Sequence, residues 1–330
     1  MPTIYLFAVL VSFITALFCT FLLRKFVLRN KLFISQRTGL PLIGGIGLAS
    51  SFIAACISSF FLYGTMPFSL IGVIVSSSIM LIFGIVDDWK ELSVRTKFIM
   101  QIIAASALIL FGIRTRIVYI GGMANSIITF IFVIGITNAF NHLDVMDGLA
   151  GGVAAITCSA FFMVAFLNRD VTSGIVSLAL LGVVLGFMAY NLPPARVYMG
   201  NAGSHFLGFV LAAIALNISY APLGREAALL SPLLILGFAI FDTAFLILIR
   251  IRKKKSPFKK SDDHLVLRFL KSGLSKKESL SSMLILALFF SVSGVFLSKA
   301  SNFLGVIIIA AVIATAAAVA YKMGRVRIDG

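Results

Sequence analysis

Charge is what this sequence has least of. Only 12% of its 330 residues are Asp, Glu, Lys or Arg, where a soluble globular chain carries about 25%. Acid is the scarcer sign: 12 Asp and Glu stand against 28 Lys and Arg, for a net charge of +16. With 60% hydrophobic residues, the chain has too few polar groups to cover a surface facing water, which excludes the soluble class. Cysteine is sparse as well. Cys19, Cys56 and Cys158 all fall inside apolar runs, and an odd number in such places argues against a disulfide framework. Internal repeats and low-complexity segments are absent.

What is present is a series of apolar runs of bilayer-spanning length. They predict an all-α, polytopic membrane protein with about eleven transmembrane helices, near 3–23, 43–62, 67–86, 97–113, 124–142, 149–167, 174–190, 203–221, 227–249, 279–297 and 303–321. The first run is followed by basic residues and by no small-residue cleavage site, so it reads as a retained helix and not a signal peptide. Lys and Arg assign the sides. Of the 28, 23 fall in alternate connecting segments or the C-terminal tail, and only Arg114, Arg116, Arg169, Arg225 and Lys299 fall on the other side. This places the N-terminus outside and the C-terminus in the cytosol of a bacterial cytoplasmic (inner) membrane. The positive charge is therefore a topology signal and not a nucleic-acid footprint. Residues 1–330 are expected to form a single membrane domain, with a basic cytoplasmic loop at 250–278 that also suits anionic membrane lipids. A homodimer is compatible with these features and is not required by them.

The acids are distributed in a way that topology does not require. Nine of the 12 share the basic side: Asp87, Asp88, Glu91, Asp144, Asp147, Asp262, Asp263, Glu278 and Asp329. Acidic residues contribute little to orientation, so their gathering points to a site. Asp87 and Asp88 end the third span, where carboxylates face the negative end of the helix dipole and need a compensating cation. Mg²⁺, Lys90, Arg95 or Lys97 could supply it. Asn138, Asn141, Asp144 and Asp147 are spaced by three, which on a helix makes one polar stripe able to hold a metal or read a polar ligand. The plainer alternative is a hydrogen-bonded helix seam with Asp147 capping the next helix. Asn191 through Ser204 carries Gly200, Gly203 and Ser204 just before an apolar run, a helix N-terminus suited to phosphate. The basic loop adds Ser256-Pro257-Phe258 and His264. His142 and His205 sit at helix edges and read as packed residues, and Gly44-Gly45 as a close helix contact. Asp242 is the one acid inside a span.

In their order along the chain, these segments resemble the polyprenyl-phosphate N-acetylhexosamine-1-phosphate transferase family. The matching runs are Asp87-Asp88 with Leu92-Ser93, Lys97 and Gln101; Asn138, Asn141, Asp144 and Asp147-Gly-Leu-Ala; Pro194-Ala195 through Met199-Gly200, Gly203-Ser204 and Phe206-Leu-Gly-Phe209; and Phe241-Asp242-Thr243 with Ser256-Pro-Phe258 and His264-Leu265. The resemblance implies eleven helices and the transfer of a sugar 1-phosphate from a UDP-N-acetylhexosamine to undecaprenyl or another polyprenyl phosphate. UMP is released, Mg²⁺ is the cofactor (Mn²⁺ as a substitute), and the reaction is a first membrane step of cell-envelope glycan assembly. By the same resemblance Asp87 and Asp88 serve the acceptor phosphate and the metal, and Asn141 and Asn201 occupy metal-ligand positions. Asp144 and Asp147 bind the nucleotide, Lys97 and His264 grip the diphosphate, and Tyr198 stacks on uracil.

Some positions depart from that family's pattern. Asn201 stands where Asp is usual, Val145 where Gly is usual, Leu42 for a common Arg, Ser261 for a common Asp, and Val266 and Leu267 for two His. Asn keeps an oxygen for Mg²⁺ but removes a charge worth roughly 4 kcal/mol at contact distance and an effective dielectric near 20. The alternative expectation is therefore a catalytically impaired homologue that binds polyprenyl phosphate or scaffolds glycan assembly. A transporter fits less well. Pro232 is the only proline well inside a predicted span, near its start, whereas transporters favour repeats and broken helices around midplane sites.

Overall fold

The computed structural model describes residues 2–35, 38–64, 66–220, 224–256 and 263–326. Arg37, Pro257, Phe258, Ser261 and Asp262 lie outside the described residues. Among the described residues every regular element is a helix, apart from one isolated bridge between Ile34 and Pro41. The helices fall into two compact units, 1–219 and 220–330.

The first unit holds α1 (Pro2–Asn30), α2 (Gly44–Tyr63), α3 (Phe68–Trp89), α4 (Val94–Leu110), α5 (Gly122–Leu143), α6 (Leu149–Leu167), α7 (Val171–Asn191) and α8 (Gly200–Asn217). Each matches a predicted span. The core is built around α8, where every residue from Ala202 to Ala215 is buried, against α2, α3, α5, α6 and α7. Between helices in lipid the hydrophobic drive is weak, and close backbone approach through small residues takes its place. That is visible at Gly45, where a Cβ would meet the backbone N of Gly203 at 2.3 Å, and at Gly84, where it would meet the Cα of Ala202 at 2.3 Å. The Gly44-Gly45 pair is thus a helix contact, with its N–H groups donating to the carbonyls of Tyr198 and Met199 at 3.0 Å each.

The second unit holds a short 3-10 helix (Glu226–Leu230), α9 (Ser231–Ile235), α10 (Gly237–Arg252), α11 (Leu265–Lys271), α12 (Lys276–Leu297) and α13 (Asn302–Gly324). The span expected as one helix over 227–249 is broken: its two halves meet at an angle of 72° about Leu236. The cause is local packing. Gly237 leaves room for Phe290 of α12, whose ring a Cβ would meet at 2.5 Å. The freed carbonyl of Ile235 accepts a hydrogen bond from Ser291 Oγ at 2.9 Å, as a backbone group away from water must. Pro232, at the start of α9, does not make the break.

Among the described residues eight helices are long and apolar enough to cross a membrane, or nine if the bent pair is one span. The expected eleven were counted from eleven apolar runs, all of which are helical. The shortfall lies with α4, only 17 residues long, with α8, which opens on polar residues, and with the bend.

Candidate functional site

α3 ends in Asp87-Asp88-Trp89. Neighbouring residues on a helix project about 100° apart, and here the divergence gives the two acids different partners. Asp87, 5% exposed, turns toward α4. One carboxylate oxygen accepts the N–H of Leu92 at 2.8 Å, and the other meets Lys97 Nζ at 2.6 Å. Ser93 starts α4 by accepting the N–H of Thr96 at 3.2 Å, and this start places Lys97 in the first turn, within reach of Asp87. Asp88 turns toward α8. Its two oxygens accept the N–H groups of Asn201 at 2.7 Å and Ala202 at 3.0 Å.

The helix N-terminus that the sequence offered to a phosphate is therefore occupied by a side chain of the protein. Both acids sit unfavourably against the dipole of their own helix. Lys97 offsets one, and the N-terminus of α8 offsets the other. Gly200 makes the second contact feasible. It has φ +71°, and a Cβ there would lie 2.6 Å from Asp88 Oδ2.

The expected stripe of four polar residues is divided by the end of α5 at Leu143. Asn138 exchanges two amide hydrogen bonds with Gln101 of α4, at 3.1 and 2.9 Å. Asn141 Nδ2 donates to Asn201 Oδ1 at 3.1 Å and to Ser204 Oγ at 2.9 Å. Asp144 is the residue after the helix, and its carboxylate makes no hydrogen bond among the described residues. Burial first, then the nearby carboxylates of Asp88 and Asp147, raise its pKa to about 7. Asp147 does not cap α6, whose first turn follows Gly148 with no side-chain cap. Instead it accepts the N–H of Ala195 at 3.1 Å.

Asn191 locks the same two loops together: it accepts the N–H of Gly148 at 3.0 Å and donates to the carbonyl of Val197 at 3.0 Å. Only the tertiary structure reveals this role, because Asn191 and Gly148 are far apart in sequence. Tyr198 is half-buried and held by its backbone, its N–H donating to Pro41 O at 2.9 Å.

Asp87, Asp88, Lys97, Asn141, Asp144, Asp147, Tyr198 and Asn201 thus all belong to the first unit, and Asp88, Asn141, Asp144 and Asn201 gather where α3, α5 and α8 meet. His264 belongs to the second unit, at the N-cap of α11. Around it, Asp263 pairs with Lys253 Nζ at 2.6 Å and Arg268 at 3.3 Å. The buried Asp242 accepts the N–H of Leu265.

Among the described residues no group of three or more His, Cys, Asp and Glu could hold a metal ion. The donors available in the first unit are the carboxylates of Asp88 and Asp144 and the amides of Asn141 and Asn201. That set suits Mg²⁺, which is usually held by one or two carboxylates with substrate phosphates and water completing its shell.

Residues 70–219, from α3 to the end of the first unit, match the family model described as glycosyl transferase family 4. The chain is 30% identical over 279 residues to a probable undecaprenyl-phosphate N-acetylglucosaminyl 1-phosphate transferase of Bacillus subtilis, covering 82% of this chain and 76% of that one. It is 34% identical over 268 residues to a decaprenyl-phosphate N-acetylglucosaminephosphotransferase of Mycobacterium tuberculosis, covering 72% and 65%. With a phospho-N-acetylmuramoyl-pentapeptide-transferase of Bacillus thuringiensis it shares 30% over 205 residues, covering 55% and 62%. Similarity of this extent, carried by the helices that assemble the acidic cluster, makes the chain a member of glycosyl transferase family 4.

Proposed function

We propose that this protein transfers an N-acetylhexosamine 1-phosphate from a UDP-sugar to a polyprenyl phosphate in the bacterial cytoplasmic membrane and releases UMP. The observation that carries the reading is the convergence of Asp88, Asn141, Asp144 and Asn201 where α3, α5 and α8 meet, in a chain whose relatives are named for this chemistry.

The acceptor phosphate oxygen forms a bond to the sugar-side phosphorus of the UDP-sugar. The bond from that phosphorus to the bridging oxygen breaks, and UMP leaves with the electron pair. Such a transfer needs positioning and charge neutralisation more than covalent catalysis. Lys97, oriented by Asp87, supplies a cation to phosphate oxygens. Asp88 is fixed by two backbone N–H groups and cannot swing away from the site. Asp144, with no hydrogen bond of its own among the described residues, and the amides of Asn141 and Asn201 would hold Mg²⁺. Bound there, the ion would neutralise the diphosphate and the carboxylates facing it. Asp147 and Tyr198 border the same loops and suit the nucleotide. The basic side of the sequence would face the cytosol, where UDP-sugars are found.

The test uses purified protein in lipid nanodiscs with undecaprenyl phosphate and a panel of UDP-N-acetylhexosamines, with and without Mg²⁺. The expected result is metal-dependent UMP release with at least one sugar. A lack of turnover across sugars and metals would leave the binding-only alternative.

A further inference from the structure

His205 lies on α8 and is 3% exposed. Its Nδ1 is 2.8 Å from the carbonyl oxygen of Asn201, one turn earlier. A carbonyl oxygen only accepts, so Nδ1 carries the hydrogen and donates it. Nε2, the other ring nitrogen, makes no hydrogen bond among the described residues. The ring lines a small cavity together with Asp87, Lys97 and Gln101.

The other polar groups of that cavity already have partners. Asp87 is engaged by Lys97 and by the N–H of Leu92, and the amide of Gln101 is matched with Asn138 in both directions. Lys97 has three ammonium hydrogens to give, and Asp87 takes one. The cavity therefore holds one acceptor without a donor, Nε2, and one donor with hydrogens to spare, Lys97.

We propose that His205 is a further positioning residue of the site: its Nε2 accepts a hydrogen bond from Lys97 through one water held in the cavity between them. Asp87 and His205 would then hold the ammonium from two sides and set its direction. The consequence for turnover rests on the transferase reading given above; the hydrogen bond itself does not.

The experiment has two arms. The chain has only three histidines, so ¹⁵N-histidine labelling of the protein in detergent gives a readable spectrum, with His205 assigned by its loss in His205→Gln. The expected spectrum shows Nδ1 protonated and Nε2 bare, with an Nε2 shift that moves in Lys97→Met and not in Lys90→Met. A protonated Nε2, or one indifferent to Lys97→Met, would overturn the proposal.

In the kinetic arm, His205→Gln retains an acceptor at the ring's position. It should keep kcat/KM for the lipid acceptor within about threefold, while His205→Leu should lose roughly ten- to a hundredfold with an unchanged thermal midpoint. Equal activity of the two variants would reduce His205 to a space-filling residue and defeat the proposal. If the wild type releases no UMP at all, the transferase reading fails, and the spectrum alone decides the hydrogen bond.

Discussion

The carboxylate of Asp88 closes the N-terminus of α8, taking the N–H of Asn201 at 2.7 Å and that of Ala202 at 3.0 Å. An acid at the end of one helix is thereby tied to the start of another that lies more than a hundred residues later. The contact joins the stability of the first unit to the geometry of its site, so substitutions there should affect both.

Asp88→Asn removes the charge but keeps the shape. Charge-assisted hydrogen bonds are roughly twice as strong as neutral ones, and a helix N-terminus adds up to about 2 kcal/mol in a partly buried setting. The expected loss is about 1–2 kcal/mol of stability, seen as a lower thermal midpoint in detergent, together with loss of UMP release. An Asp88→Asn protein as stable and as active as the wild type would contradict the contact.

Gly200→Ala should be more damaging than Gly39→Ala, although both glycines have nearly the same positive φ. The left-handed conformation costs an L-residue about 1–2 kcal/mol at either position. A Cβ at Gly39, at φ +72°, would have no neighbour within 4 Å among the described residues, whereas one at Gly200, at φ +71°, would strike Asp88 Oδ2 at 2.6 Å. Thermal melting of the two variants separates the shared backbone cost from the steric one. Equal melting points would mean that Asp88 gives way freely.

Asn201→Asp adds a carboxylate beside Asp88 and Asp144. An extra charge at contact distance should tighten binding of a divalent cation by at least about tenfold. Trp89 is the only tryptophan in the chain, follows Asp88 directly and is 82% exposed. Mn²⁺ quenching of its fluorescence reads the affinity without turnover. An unchanged quenching curve would place the cation away from residue 201.

Asp144 should make stability depend on pH. Its pKa is about 7 in the folded chain against 3.8 ordinarily. Between those values the folded state holds the proton more tightly than the unfolded state does, so metal-free stability falls as pH rises through this window. The wild type should melt lower at pH 8 than at pH 5 without divalent cations, and Asp144→Asn should show a smaller difference. Adding Mg²⁺ at pH 8 should restore the wild type, since a bound cation takes the place of the proton. A wild-type midpoint independent of pH would contradict the raised pKa of this carboxylate.

Much of the protein was legible along the chain. Each of the eleven apolar runs is helical, because in lipid a backbone can satisfy its hydrogen bonds only within itself. The residues of the acidic cluster were also visible, since so few acids in so apolar a chain are conspicuous wherever they stand. Gly44-Gly45 was correctly read as a close contact.

Partnership was not legible. Asn138 to Asp147 looked like one helical stripe because their spacing is helical, yet α5 ends at Leu143 and divides them between a helix seam and a loop. Pro232 drew attention as the only proline in a span, while the break falls at Leu236, where a ring of α12 presses on Gly237. His205 read as a packed residue from its position, and only the cavity it shares with Lys97 sets it apart.

The sequence by itself determined the class of the protein, the number of its helical runs and the residues of the acidic cluster. These follow from local properties: apolar length, charge counts and spacing. The tertiary structure alone decided that Asp87 and Asp88 part company, one to Lys97 and one to α8, and that the N-terminus of α8 is filled by a carboxylate. The reason is physical. Helix packing through Gly45, Gly84 and Gly200 brings α8 within hydrogen-bonding distance of the end of α3, and no pattern local to either segment encodes the approach of the other.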